Sequence, residues 1–126
     1  TYASVVSRES VRIVLVAAAL HDLDILTADV QNAYLCAPIT EKVWTKCGPQ
    51  FGVENVRRAA IIARALYGLK SAGAAFHNHV ASWMRELGYH SCLTGPDVWL
   101  RPMTRAEDGF KYYEYILIYV DDILCI

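Results

Sequence analysis

Tyr115-Ile116-Leu117-Ile118-Tyr119-Val120-Asp121-Asp122-Ile123-Leu124-Cys125-Ile126 is the stretch that decides the fold. Two apolar runs, Tyr115–Val120 and Ile123–Ile126, flank a pair of carboxylates. Runs rich in Ile, Val, Leu and Tyr predict buried strands, and a two-residue break predicts a tight hairpin with Asp121-Asp122 as its turn. Most such turns use Asn-Gly or Asp-Gly, because positive φ costs glycine nothing. Asp-Asp is a poorer turn and sets two like charges side by side at the end of a sheet. Either the pair is a solvated acidic turn or a divalent cation offsets the repulsion. The hairpin alone leaves both open.

Upstream, Asp24-Ile25-Leu26-Thr27-Ala28-Asp29-Val30-Gln31-Asn32-Ala33-Tyr34-Leu35 reads as a short strand over Asp24–Asp29 that ends in a carboxylate and then turns. Asp29 could converge with the pair on a neighbouring hairpin. Three carboxylates suit Mg²⁺, a hard cation that takes its remaining ligands from water and substrate phosphates. Two such ions can activate an attacking hydroxyl and stabilise a leaving oxygen, which points to nucleotidyl transfer.

The rest of the chain supplies the scaffold. Ser7–Asp22 predicts a helix with Ser7 as N-cap and a broad apolar face from Val11 to Leu20. Glu41–Lys46 and Ala59–Ala65 predict strands, separated by an irregular segment broken by Gly48, Pro49 and Gly52. Ala72–Leu87 predicts a second helix, stopped by Gly88. Asp97–Arg101 and Tyr113–Val120 complete the strands before Ile123 begins the last. Two helices among mainly adjacent strands imply an α+β fold, an antiparallel sheet with helices on one face.

At 126 residues and 55% hydrophobic, the chain can form one small domain with its own core. Twelve Lys and Arg against thirteen Asp and Glu leave a net charge of −1, so composition shows no basic face for phosphates. Template grip is therefore expected largely from elsewhere. No apolar run reaches the roughly 18–20 residues of a membrane span, and no targeting signal or membrane partner is predicted. Cys36, Cys47, Cys92 and Cys125 form no CxxC pair, which favours a reducing compartment. His77 and His79 lie two apart on a predicted helix and point to different sides, which disfavours a shared zinc.

Asp29-Val30-Gln31-Asn32-Ala33-Tyr34-Leu35, Leu66-Tyr67-Gly68-Leu69-Lys70 and Tyr119-Val120-Asp121-Asp122 resemble, in order and spacing, the reverse transcriptase of copia-type LTR retrotransposon Pol polyproteins. Thr1-Tyr2-Ala3-Ser4-Val5, Glu41-Lys42-Val43-Trp44, Gly48-Pro49-Gln50-Phe51 and Asp97-Val98-Trp99-Leu100 extend the similarity over essentially the whole chain. The resemblance implies an RNA-directed DNA polymerase. Residues 1–126 would be a partial reverse transcriptase domain, the palm with part of the fingers.

It also implies roles. Asp29, Asp121 and Asp122, with the Val30 carbonyl, would hold two Mg²⁺ or Mn²⁺ ions. Asn32 and Ala33 would present backbone N–H groups to a deoxynucleoside triphosphate. The Tyr34 ring would lie beneath its sugar, where a 2′-hydroxyl would collide. Tyr67, Gly68 and Lys70 would line the same pocket, and Tyr119 with Val120 would meet the primer end. Each has a plainer reading: a capping Asp29, a core Tyr34, a turn glycine at Gly68, a solvated Lys70, a strand aromatic at Tyr119. Implied partners are an RNA or DNA template with its primer and the rest of the Pol polyprotein, including integrase and RNase H. The implied location is a cytoplasmic virus-like particle of the element, or the nucleus.

Where the family usually continues Gln-Ala-Pro-Arg-x-Trp, this chain has Ser71-Ala72-Gly73-Ala74-Ala75-Phe76, and Ser4 replaces a Pro. Such departures suit a divergent or decayed copy. The resemblance places finger strands before Thr1 and the thumb and RNase H after Ile126. The segment alone is accordingly expected to be inactive and poorly soluble, with an exposed apolar edge on the short second strand of the catalytic hairpin. Two rival readings are a catalytically dead remnant and a small α+β binding module. The second predicts Asp29 far from Asp121.

Overall fold

A computed structural model describes residues 3–126; Thr1 and Tyr2, which open one of the resembling motifs, lie outside the described residues. Helix α1 (Arg8–His21) starts where the Ser7 hydroxyl oxygen accepts from the Ser10 N–H at 3.1 Å, and it ends at Asp22 in a left-handed conformation, φ 52°. Strand β1 (Leu26–Asp29) ends on the predicted carboxylate. A one-turn helix, α2 (Ala33–Cys36), leads into β2 (Pro38–Lys46). Two short 3₁₀ turns, Pro49–Phe51 and Val53–Asn55, occupy the irregular segment before β3 (Ala59–Arg64). Helix α3 (Ala72–Glu86) stops as predicted at Gly88, whose φ of 83° favours glycine, and the Tyr89 N–H closes the end on the Met84 carbonyl. Strands β4 (His90–Ser91), β5 (Val98–Thr104), β6 (Lys111–Tyr119) and β7 (Asp122–Cys125) complete the chain.

Five strands form one antiparallel sheet in the order β1-β7-β6-β5-β4, and β2 with β3 forms a separate ribbon. The expected exposed edge moves. Strand β7 is paired on both sides, by β6 and by β1, so β1 is the edge, with Leu26 70% exposed. The turn also moves by one residue. Tyr119 pairs with Asp122, so Val120 and Asp121 form the turn and Asp122 opens β7. Packing sets this register: it stacks Ile118 on Ile123 and the fully buried Leu117 on Leu124. The consequence is Val120 at φ 56°, a conformation that a β-branched side chain rarely adopts.

Helices do not share one face, contrary to the expectation from sequence. Successive strand residues point to opposite sides. Trp99, Ile116 and Ile118 belong to the core with Phe76, Val80 and Met84 of α3. Their neighbours Val98 and Leu117 belong to a second core with Val11 and Val14 of α1. One helix therefore covers each side of the sheet. A helical period and a strand period each report that a face is apolar, but neither says which side of the sheet a distant helix will choose.

A polar cluster fastens the far end of α3. The Tyr89 hydroxyl donates to Glu114 Oε2 at 2.9 Å, and Arg101 donates to the same oxygen from Nε at 3.0 Å and Nη2 at 2.7 Å. Arg101 Nη1 also donates to the Leu87 carbonyl. Burial, and then the Glu114 carboxylate, push the Tyr89 hydroxyl up from its usual 10.0 to about 12. A raised pKa means that the unfolded chain loses this proton first as pH rises. Its stabilisation is complete below pH 10 and should be lost between about 10 and 12. Denaturant melts of the wild type and Tyr89→Phe at pH 9 and pH 11.5 should show the wild-type advantage shrinking at the higher pH.

Candidate functional site

Asp29 sits directly opposite Asp122 in the β1–β7 ladder. Asp122 in turn sits opposite Tyr119 in the β6–β7 ladder. Directly opposed residues share a face, so by alternation Asp29, Tyr119 and Asp122 lie on the face opposite to Ile118 and α3. Asp121 is held beside them through the main chain, because the Val30 N–H donates to its carbonyl at 2.9 Å. Two segments 92 positions apart (29 to 121) thus meet at one end of the sheet. The small binding module reading did not expect this. Asp29 and Asp122 are exposed and Asp121 is half-buried.

Among the described residues, no group of three or more His, Cys, Asp or Glu side chains is drawn together tightly enough to hold a metal ion. The donor set nonetheless fits in kind: three hard oxygen ligands, accessible to water, with the Val30 carbonyl in the adjoining segment. Like charges directly across a ladder repel, which opposes tight convergence of Asp29 and Asp122.

A second group forms on the side of α3. The rings of Tyr34, on α2, and Tyr67, in the turn after β3, lie 4.6 Å apart between centroids at 37°. Phe76 meets Tyr34 edge-on at 6.0 Å. Tyr34, Gly68, Lys70 and Val120 line a cavity of about 390 Å³, with Phe76, Trp99 and Ile118 as its apolar floor. Gly68 has a φ of 95°, and a Cβ there would meet nothing within 4 Å. Its backbone conformation requires glycine, while the space before it stays open. Asn32, left-handed at φ 53°, is exposed at the start of α2, and Ala33 is fully buried. The sequence-predicted residues therefore fall into two sets. Asp29, Asp122 and Tyr119 share one side, the tyrosine pair and the cavity lie on the other, and the turn, with Val120 lining the cavity and Asp121 next to it, joins the two at the end of the sheet.

Sequence reasoning missed one member of the cavity, His77, and the buried partner that holds it. Asp97 is 3% exposed and accepts from His77 Nε2 at 2.6 Å, which joins α3 to the start of β5. His79, two positions after His77, packs instead on Trp83 at 4.3 Å between ring centroids. A signal existed in the apolar surroundings of Asp97, since a buried carboxylate needs a donor. Cys36, Cys47, Cys92 and Cys125 are free thiols. No helix among the described residues is long and apolar enough to cross a membrane.

Comparison with known proteins gives a consistent result. The family model described as "Reverse transcriptase (RNA-dependent DNA polymerase)" matches residues 1–126. The retrovirus-related Pol polyproteins from transposons RE1 and RE2 of Arabidopsis thaliana are 31% and 29% identical, each over 98% of this chain. That from transposon TNT 1-94 of Nicotiana tabacum is 28% identical over 99%. The chain spans only 8–9% of the length of these relatives. No solved structure matches.

Proposed function

Because this chain belongs to the reverse transcriptase (RNA-dependent DNA polymerase) family of copia-type retrotransposon Pol polyproteins, we propose that it is the catalytic part of an RNA-directed DNA polymerase. The five-stranded sheet with α3 would be palm, and the β2–β3 ribbon part of the fingers. The observation that carries this reading is the meeting of Asp29 with Asp122 across the ladder and of Val30 with Asp121 through a backbone hydrogen bond.

Asp29, Asp121 and Asp122, with the Val30 carbonyl, would hold two Mg²⁺ (or Mn²⁺) ions, which when bound supply positive charge for the phosphates and lower the pKa of the attacking hydroxyl. The chain's own residues orient the reactants. Tyr119, 53% exposed on the carboxylate face, supports the primer end beside Val120. Tyr34 and Tyr67 stack into a platform for the nucleotide, with Gly68 leaving its backbone open to the ligand and Lys70 offering a cation to phosphate. The exposed Asn32 would present its backbone N–H to the triphosphate, whereas Ala33, fully buried, is not placed to do so in this arrangement. The primer 3′-hydroxyl attacks the α-phosphate, and pyrophosphate leaves. Positioning and electrostatics supply most of the acceleration.

The test is Mg²⁺- and Mn²⁺-dependent primer extension on an RNA template, with the segment in its parent polyprotein. Residues 1–126 alone are expected to show none. If Tyr34 walls off the 2′ position, Tyr34→Val should admit ribonucleotides on the order of tenfold or more better relative to deoxynucleotides, since one steric contact of this kind is worth about 1–3 kcal/mol. Unchanged discrimination in the variant would remove Tyr34 from that role. A decayed copy is favoured by Ser71, Gly73 and Ala74 standing where the family usually has Gln, Pro and Arg. Failure of extension by a folded, soluble parent would establish it. The rest of the polyprotein, with integrase and RNase H, would be the working partner, in a cytoplasmic particle or in the nucleus.

A further inference from the structure

The net charge of −1 hides an uneven distribution. The ribbon and its loop, residues 38–64, hold five cations (Lys42, Lys46, Arg57, Arg58 and Arg64) against two carboxylates, Glu41 and Glu54. The rest of the chain carries seven against eleven. Neither glutamate is free: Glu41 accepts from the Ser71 hydroxyl, which ties β2 to α3, and Glu54 accepts from Asn55 Nδ2 at 3.2 Å.

Alternation sorts the ribbon into two faces. Val43 and Ile62, paired across it, are half-buried on the side packed toward α2 and α3. The opposite face shows Trp44 across from Ile61 and Lys46 across from Ala59. Trp44 is 61% exposed and Ile61 51% exposed. Lys42 precedes Trp44 by two positions, next to the register shift between Pro38 and Val43. Same-face neighbours on a strand lie about 6.8 Å apart, so Lys46 stands about one nucleotide of extended strand from Trp44, with Lys42 on its other flank along the chain at the register shift. An exposed aromatic flanked by cations is the arrangement that stacks a base and neutralises the adjoining phosphates without reading sequence. The ribbon's five cations against two carboxylates beside an exposed indole favour a phosphate-bearing strand over an apolar protein surface.

We propose that the outward face of the β2–β3 ribbon binds single-stranded nucleic acid, with one base stacked on Trp44 and its phosphates against Lys42 and Lys46. Identification of that strand as a template overhang rests on the polymerase reading; the stacking itself does not.

The test is fluorescence anisotropy of a labelled 12-nucleotide single-stranded RNA titrated with the 126-residue chain over a series of salt concentrations. Trp44→Ala should raise Kd about 5- to 160-fold, the range for loss of one base–aromatic stack, and Trp44→Phe should restore most of it. Lys42→Ala with Lys46→Ala should flatten the slope of log K against log salt by about 1.4, roughly 0.7 per phosphate contact. Lys111→Ala, outside the ribbon, should change neither. All the ribbon residues replaced are exposed, so circular dichroism melts should coincide with wild type. No binding by the folded wild type, or equal binding by wild type and Trp44→Ala, would overturn the proposal. The two readings fail separately. Extension by the parent with Trp44-independent binding sinks the ribbon alone, whereas Trp44-dependent binding without extension sinks the polymerase alone.

Discussion

Asp29→Asn in the parent polyprotein should reduce templated primer extension on the order of 10³-fold or more, while leaving the metal-free fold as stable or slightly more so. The loss follows from the proposed role: removing one charged oxygen ligand forfeits several kcal/mol of transition-state stabilisation, and each 1.36 kcal/mol is a factor of ten. The gain in stability follows from the register. Asp29 faces Asp122 directly across the ladder, and like charges in such a pair are destabilising by about 0.2–1 kcal/mol. Asparagine keeps the volume and removes the repulsion. Asp121→Asn should lose activity equally and keep its fold, because the bond from Val30 goes to the Asp121 backbone carbonyl, which the substitution leaves in place. Millimolar Mg²⁺ should raise the melting temperature of the wild type and not of either variant, since a ligand stabilises only the state that binds it. An active Asp29→Asn, or equal stabilisation of all three proteins by Mg²⁺, would remove these carboxylates from the reaction.

Trp99→Ala should cost about 3–5 kcal/mol of stability and lower the melting temperature by on the order of 10–20 °C for a domain of this size. Trp99 is 3% exposed, packs against α3 with Phe76 and Met84, and carries the Arg85 guanidinium 5.6 Å from its ring centroid. It also forms part of the floor of the 390 Å³ cavity. Truncation would enlarge an existing space, not open one that neighbours could fill, which places the cost toward the upper end. Trp99→Phe should lose much less. A thermal melt of Trp99→Ala within 3 °C of wild type would show that α3 is held mainly elsewhere, for example by the His77–Asp97 bond.

These two experiments probe parts of the molecule that differ in how far the sequence revealed them. The strand ending at Asp29, the α3 span with its stop at Gly88 and the apolar hairpin strands were all legible. Each is a local matter of period, capping residue or φ requirement. The motif around Tyr34 and that around Tyr67 were legible as segments but not as neighbours. Their ring contact depends on α2 and the turn after β3 meeting, which no local pattern encodes. Helix α2 itself is one turn long and lies below what periodicity can detect. The strands of the β2–β3 ribbon are legible, while its positive charge is hidden in a balanced total.

By itself the sequence determined that α1, α3 and the longer strands form, though not α2 or β4, and that Asp29 and the Asp121-Asp122 pair stand at strand ends, because propensity and capping act within a few residues. Only the tertiary structure decided four things: that β1 pairs with β7 and so sets Asp29 against Asp122; that the turn falls on Val120 and Asp121; that α1 and α3 take opposite faces; and that Asp97 finds His77. Burial of apolar area between packed elements, most of them far apart in the chain, sets these arrangements. That energy is strong enough to hold a valine at positive φ and two carboxylates side by side, against the local preference of both.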